Sequence, residues 1–447
     1  MDLVRNTFVS KDFLKSVWAV EFAAFDGSDE EQELRAKLQA WADRADLGET
    51  SSEAAFISTF FEELWGYSHS GRNDGLPEYN LYPQYPVKGA GQKGGTGKAD
   101  LAMGLFGSES NSGTPQVLSE FKDIKSNLDA YQNRKGNNRS PVKQALDYLA
   151  EARRGMYLTE AIVPTWAIVT DMNEFRLYWF DRAPEQYLSF VISPKDLFQG
   201  KGLLENTKNA RFDLFLFSRL FHKDLLLTKG GKSKLEQLIA HQWVQQRELE
   251  NTFYKEYRAF RERLYETLVE ANPNFPGTKG RLVRLSQKIL DRCIFIFFCE
   301  DMGSALKYPP QLLRNLLIND SRDEFYDPNE NTIWARLKSL FKSMNDGSPF
   351  RKHKINQFNG GLFAEDAELN LLKIPNQIFG VPGQGENEAS LYSHKETLLY
   401  LSAAYNYASE SLDAEQGRAP VLGDTVKNDP SKSLGLYTLG RIFEQSI

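Results

Sequence analysis

Two strand-like runs joined by a turn-rich stretch constrain this chain more than any other feature. Residues 99–106, Ala-Asp-Leu-Ala-Met-Gly-Leu-Phe, and the run from Gln116 to Ile124 read as short strands, and Gly107 to Pro115 between them reads as turn. Paired as a hairpin centred near Asn111, the strands set Asp100 opposite Lys122, to within about two residues. Side chains alternate along a strand, so Glu120 and Lys122 share a face and both point toward Asp100. Two carboxylates and a backbone carbonyl form an oxygen donor set suited to Mg²⁺, and Lys122 beside them is placed to orient and ionise an attacking water. The competing reading is a solvated cross-strand ion pair between Glu120 and Lys122.

The flanking sequence separates the two. Ser140-Pro141 predicts a helix start, with a capping hydroxyl and proline at the first helical position. Val142, Ala145, Leu146 and Leu149 form its apolar stripe, and Gln144 and Tyr148, four apart, flank that stripe on one side. Upstream, Glu53, Ile57, Phe60 and Leu64 follow helical spacing and set a carboxylate on an otherwise apolar face, where it needs a partner. A second strand pair is expected from Ala161 to Asp171 and from Glu174 to Asp181. Each residue also has a plainer reading: Tyr148 as a core aromatic, Gln144 as a surface side chain, Glu53 as a cap or ion pair of its own helix.

The order of these features resembles the PD-(D/E)XK nuclease superfamily, with Asp100, Glu120 and Lys122 as its core and Ala99 where a proline is usual. Gln144 and Tyr148 resemble the Q-x3-Y motif that one branch of the superfamily carries after the catalytic lysine. Residues 169–178, Val-Thr-Asp-Met-Asn-Glu-Phe-Arg-Leu-Tyr, resemble the TNG-x-x-W-x-L-Y stretch of type I and combined type II restriction enzymes. Asn173 is kept, and Glu174 stands in place of the glycine. The resemblance implies an α/β nuclease domain with a mixed central sheet. It also implies Mg²⁺-dependent cleavage of double-stranded DNA, with Asp100 and Glu120 as metal ligands, Lys122 activating water, Gln144 and Tyr148 supporting the site, and Glu53 as a third carboxylate.

A rival motif is excluded. Gly91 to Lys98 looks like a phosphate-binding loop, but its first glycine would fall on Gln92, Ala99 follows the lysine instead of Ser or Thr, and no hydrophobic strand is read before it. The 447-residue length suits two to three domains, and neither a membrane span nor a secretory signal is legible, which points to a cytoplasmic protein. Cys293 and Cys299 read as buried reduced thiols, and the five histidines are too scattered for a zinc site. The net charge of −6 hides a local excess: from Pro86 to Ala145 nine Lys and Arg face five Asp and Glu. That field suits a phosphate backbone, with Lys98, Arg134, Lys135, Arg139 and Lys143 as contacts; the alternative is a solvated loop.

Past Thr228-Lys229-Gly230-Gly231-Lys232-Ser233 the character changes to long helices, expected over Lys234–Ala271, Lys279–Met302, Gln311–Ile318, Ile333–Met344 and Leu391–Ser409. This divides the chain into a nuclease domain, 1–230, and an all-α domain, 231–447. The strings at 297–303 (Phe-Phe-Cys-Glu-Asp-Met-Gly), 358–363 (Phe-Asn-Gly-Gly-Leu-Phe) and 439–445 (Leu-Gly-Arg-Ile-Phe-Glu-Gln) resemble the helical connector that joins nuclease to N6-adenine methyltransferase in single-chain type IIG restriction-modification enzymes. That family's cofactor loop and Asn-Pro-Pro-Tyr motif are not found; Asn272-Pro273-Asn274-Phe275 lacks the second proline. The resemblance therefore implies that AdoMet binding, methylation and target recognition lie outside this chain, in cis or on a separate subunit. A second reading, from another class, is a nuclease-like fold kept as a non-catalytic scaffold for a phage-defence methyltransferase.

Overall fold

The computed structural model describes residues 7–44, 49–70, 78–107, 113–124, 126–132, 138–154, 162–194, 202–302, 306–358, 361–381 and 394–407, with Leu434 and Gly440. Two compact units emerge, one of residues 1–10 and 18–242, the other of residues 11–17 and 243–447. The division falls inside a long helix, beyond the glycine-rich stretch at 228–233.

The first unit is built on a six-stranded sheet in the order β1 to β6: Tyr79–Val87, Gly97–Phe106, Pro115–Phe121, Trp166–Thr170, Glu174–Trp179 and Tyr187–Val191. All neighbours are antiparallel except β3 and β4. A parallel pair needs a long crossover, and α5 (Pro141–Arg153) supplies it while packing on both strands. Ser140 caps α5 by accepting from the Lys143 amide at 3.2 Å. One sheet face holds the α5 side, where Leu118, Ala167, Val169 and Tyr178 meet Val142, Ala145, Tyr148 and Leu149.

The other face is aromatic. Phe56, Phe60 and Trp65 pack on Phe175, and Phe217 and Phe221 of the segment containing α6 (Lys208–Leu220) close the cluster. Phe56 belongs to α4 (Glu49–Phe56), which continues directly into a π-helical stretch, Ile57–Leu64. Wider π turns move the buried face. The expected stripe of Glu53, Ile57, Phe60 and Leu64 is accordingly corrected: the buried side chains are Phe56, Ile57, Phe60 and Phe61, while Glu53 and Leu64 are partly exposed.

The sheet also qualifies the reading that no hydrophobic strand precedes the glycine-rich loop. β1 does, disguised by Pro83 and Pro86, which an edge strand tolerates because its outer amides need no partner. The loop then enters a strand, not a helix, which adds to Gln92 and Ala99 as grounds for excluding a phosphate-binding loop. β6 was not among the strands expected from the sequence.

The second unit is helical: α8 (Lys234–Ala271, entering from the first unit), α9 (Lys279–Met302), α10 (Leu312–Ser321), α11 (Thr332–Asp346), α12 (Ala367–Leu371) and α13 (Leu398–Ala404). The first two have the expected bounds; α13 is shorter than expected, and residues 391–393 and 408–409 lie outside the described residues. Both cysteines are free and buried. At the centre Arg314, 2% exposed, bonds Asp301 at 3.0 Å and the Ser402 carbonyl at 2.7 Å, with Glu300 at 3.6 Å. Asp301 in turn accepts from the Tyr407 amide at 2.8 Å, so one ionic knot joins α9, α10 and α13. Removing the cation strands two buried carboxylates, so Arg314→Ala should cost about 3–5 kcal/mol in a urea unfolding experiment. A loss under about 1 kcal/mol would show that the knot is not holding these helices.

Candidate active site

Strand register brings the two carboxylates together. Leu101 pairs with Ser119, Ala102 with Leu118 and Met103 with Val117, which sets Asp100 level with Glu120, two residues from the expected partner. β3 ends at Phe121, and Lys122 follows as the first residue past the strand. Asp100 Oδ2 accepts from the Phe121 amide at 2.7 Å. The β2 strand turns over at this point: Ala99 and Ala102, three apart, both pack on the α5 side, and Gln84, level with Asp100 in β1, takes φ 53°. A regular strand would send those two alanines to opposite faces.

Alternation along β3 sends Leu118 and Glu120 toward α5 and Phe121 toward the aromatic face, against Phe56 and Phe61. The Lys122 ammonium donates to Glu120 Oε1 at 2.6 Å and to the Phe121 carbonyl at 2.5 Å, and its amide donates to the Thr170 carbonyl at 2.9 Å. With Glu120 at 2% and Lys122 at 7% exposure, this is no solvated pair. Gln144 Nε2 donates to the same Glu120 oxygen at 2.8 Å and to the Tyr148 hydroxyl at 3.0 Å. One amide thus couples the helix to the carboxylate. Burial, and next the charge of Glu120, push the Tyr148 hydroxyl pKa up, so it stays a neutral phenol at physiological pH.

The other expected residues stand in different relations to this group. Glu53 lies on α4 one turn before Phe56, the ring that meets Phe121, so it is carried by the element that packs against the end of β3. Among the described residues no three His, Cys, Asp or Glu side chains form a metal-binding cluster. Arg139 is committed to Asp147 at 2.9 Å and Lys143 to the same carboxylate at 3.0 Å, which fastens the end of the preceding loop to α5. Lys98 stands exposed on β2 without an acidic partner among the described residues. Arg134 and Lys135 lie outside the described residues.

Three contributors were not singled out as site residues in the sequence. Gly97 is one: a Cβ there would sit 2.7 Å from Tyr148 Cε1, so the ring needs a bare backbone in β2. The others are Arg176 and Asp129. Arg176 is bidentate to Asp129 at 2.8 and 2.9 Å and bonds Glu174 at 2.6 Å, tying the loop that follows Lys122 to the sheet. Burial opposes its charge, but Asp129 and Glu174 outweigh that and hold its pKa above the usual range. Glu174, the departure from the expected glycine, has its charge answered in this way. Asn173 is also explained: it exchanges hydrogen bonds with Ser193, at 2.9 and 3.1 Å, to hold the β4–β5 turn against the end of β6. Gly97→Ala should displace Tyr148 and release Gln144 from it, seen as a loss of the Gln144 side-chain NMR shift of the parent and about 1–3 kcal/mol of stability. An unshifted Gln144 amide would show that Gly97 does not seat the ring.

Residues 286–363, within the helical unit, match the family model described as MmeI, helicase spacer domain. No curated protein and no solved structure matches the chain. The matched stretch runs from the middle of α9 through α10 and α11 and includes the 297–302 string; residues 303, 359 and 360 of the two strings it spans lie outside the described residues, as do 439 and 441–445 of the third. It marks this part of the chain as similar to an MmeI helicase-spacer region.

Proposed function

We propose that the first unit is a Mg²⁺-dependent DNA endonuclease domain of the PD-(D/E)XK kind, the restriction part of an MmeI-like type IIG enzyme whose methyltransferase and target-recognition parts lie beyond this chain. The observation that carries the reading is one connected group at the end of β3: Asp100 accepts from the Phe121 amide, and the Lys122 ammonium bonds both the Phe121 carbonyl and Glu120.

The donor set fits a hard divalent cation. Glu120 Oε1 and the Phe121 carbonyl already hold a cation between them, the Lys122 ammonium, and both are oxygen donors of the type Mg²⁺ takes. Asp100, partly buried, would complete the protein's share. Mg²⁺ bound there would stabilise charge on the scissile phosphate and ease ionisation of the attacking water. The chain's own residues do the rest. Gln144 fixes the Glu120 carboxylate, and Tyr148, kept neutral, holds Gln144 in that rotamer. The Phe121 amide orients Asp100. Lys122 supplies a hydrogen-bond donor and a positive charge where a hydroxide nucleophile must be favoured. Lys98 is the exposed cation on the same strand for a phosphate of double-stranded DNA.

The scaffold reading draws on the same ion pair, taking Lys122 as a clamp at the end of β3. Burial makes Lys122→Ala a poor discriminator, because it strands Glu120 and unsettles the fold under either reading. Asp100→Asn is better: it keeps an acceptor for the Phe121 amide and loses only the charge. In the full enzyme, plasmid cleavage should need Mg²⁺ or Mn²⁺ and stop in chelator. Asp100→Asn should melt within about 2 °C of the parent and cut at least about 10²-fold more slowly. An enzyme that never cuts would favour the scaffold, and full activity in Asp100→Asn would place the active site elsewhere.

A further inference from the structure

A basic turn in the helical unit has no role in the site above. From Gly347 to Phe363 the chain carries no acidic residue, while Arg351, Lys352 and Lys354 crowd around His353, in a protein of net charge −6. The turn is tightly made. Phe350 and His353 exchange both backbone hydrogen bonds at 2.9 Å, which leaves Arg351 and Lys352 as its two tip residues. Phe350 and Ile355, 5% and 1% exposed, root it in the helical core, and the Phe358 amide bonds the Met344 carbonyl at 2.9 Å behind it.

The tip is unusual in two respects. Arg351 has φ 52°, a left-handed conformation that glycine or asparagine would take at lower cost. Arg351, Lys352 and Lys354 are also exposed and have no acidic partner among the described residues; the guanidinium of Arg351 only overlies Phe350, at 5.8 Å. The local field is felt nearby: the pKa of Arg336 is lowered, by burial first and then by the charge of Arg351, although Arg336 is paired with Asp320. An acidic protein partner is the less favoured occupant. Protein interfaces are anchored by apolar side chains, and Phe350 in this turn and Ile355 just past it are both buried in the core. Exposed point charges on a short, rooted turn suit a row of phosphates.

We propose that the turn Phe350–Lys354 contacts the phosphate backbone of duplex DNA, a sequence-independent contact made by the helical unit. It stands apart from the nuclease reading, because a chain with no working metal site would still bind DNA through it.

The test is anisotropy of a labelled duplex of arbitrary sequence titrated with the 447-residue protein in chelator, over a range of salt concentrations. Replacing Arg351, Lys352 and Lys354 together by Gln should flatten the slope of log Kd against log salt by about 2–3, since each phosphate contact contributes about 0.9, and weaken binding by about 10-fold or more at low salt. Lys255→Gln, an exposed lysine of α8, should leave both unchanged. Arg351→Gly removes the charge and relieves the backbone, so it should lose its share of the slope while melting no lower than the parent. Parent-like slope and affinity in the triple variant would overturn the proposal, as would an equal loss from Lys255→Gln.

Discussion

A buried ion pair at the end of one strand organises the first unit. Glu120 and Lys122 are two residues apart, face the same way, and sit where water is nearly excluded, so each must be answered by the other and by further hydrogen bonds. Those demands explain much of the surrounding structure. α5 crosses from β3 to β4 with Gln144 turned to the carboxylate, Tyr148 behind Gln144 needs Gly97, and the loop leaving Lys122 is pinned by Asp129 to Arg176. A pair kept for stability alone is more cheaply replaced by apolar side chains. The cost is consistent with a function that needs charge at this place.

Much of this was legible because it follows from short-range chemistry. Alternation along a strand puts Glu120 and Lys122 on one face, Ser140-Pro141 opens α5, and a four-residue spacing joins Gln144 to Tyr148. The long helices α8 and α9 were visible with their bounds, since sustained periodicity is the strongest signal a sequence carries. What stayed hidden depends on neighbours distant in the chain. β1 was obscured by two prolines that only an edge position permits. The π-helical stretch after Phe56 shifts a face that α-helical spacing places elsewhere. Arg139 and Lys143 look like free cations in sequence, yet one aspartate a turn or two on, Asp147, takes both. The partners Asp129 and Arg176 are 47 positions apart, and no local pattern links them.

The helical unit rests on different physics. Its core is a wide apolar cluster crossed by one ionic knot at Arg314, and its link to known proteins is the spacer-domain match at 286–363. The proposed nuclease chemistry draws no catalytic group from that stretch. The proposed contact with DNA phosphates is its exposed basic turn.

The proposed nuclease stands or falls on whether Asp100, Glu120 and the Phe121 carbonyl form a divalent-cation site, where the Lys122 ammonium now bridges two of the donors. Manganese binding followed by electron paramagnetic resonance tests this without relying on cleavage. Saturable Mn²⁺ binding is predicted for the parent protein, lost in both Asp100→Asn and Glu120→Gln while each remains folded. Undiminished Mn²⁺ binding in these two variants, or none in the parent, would contradict it.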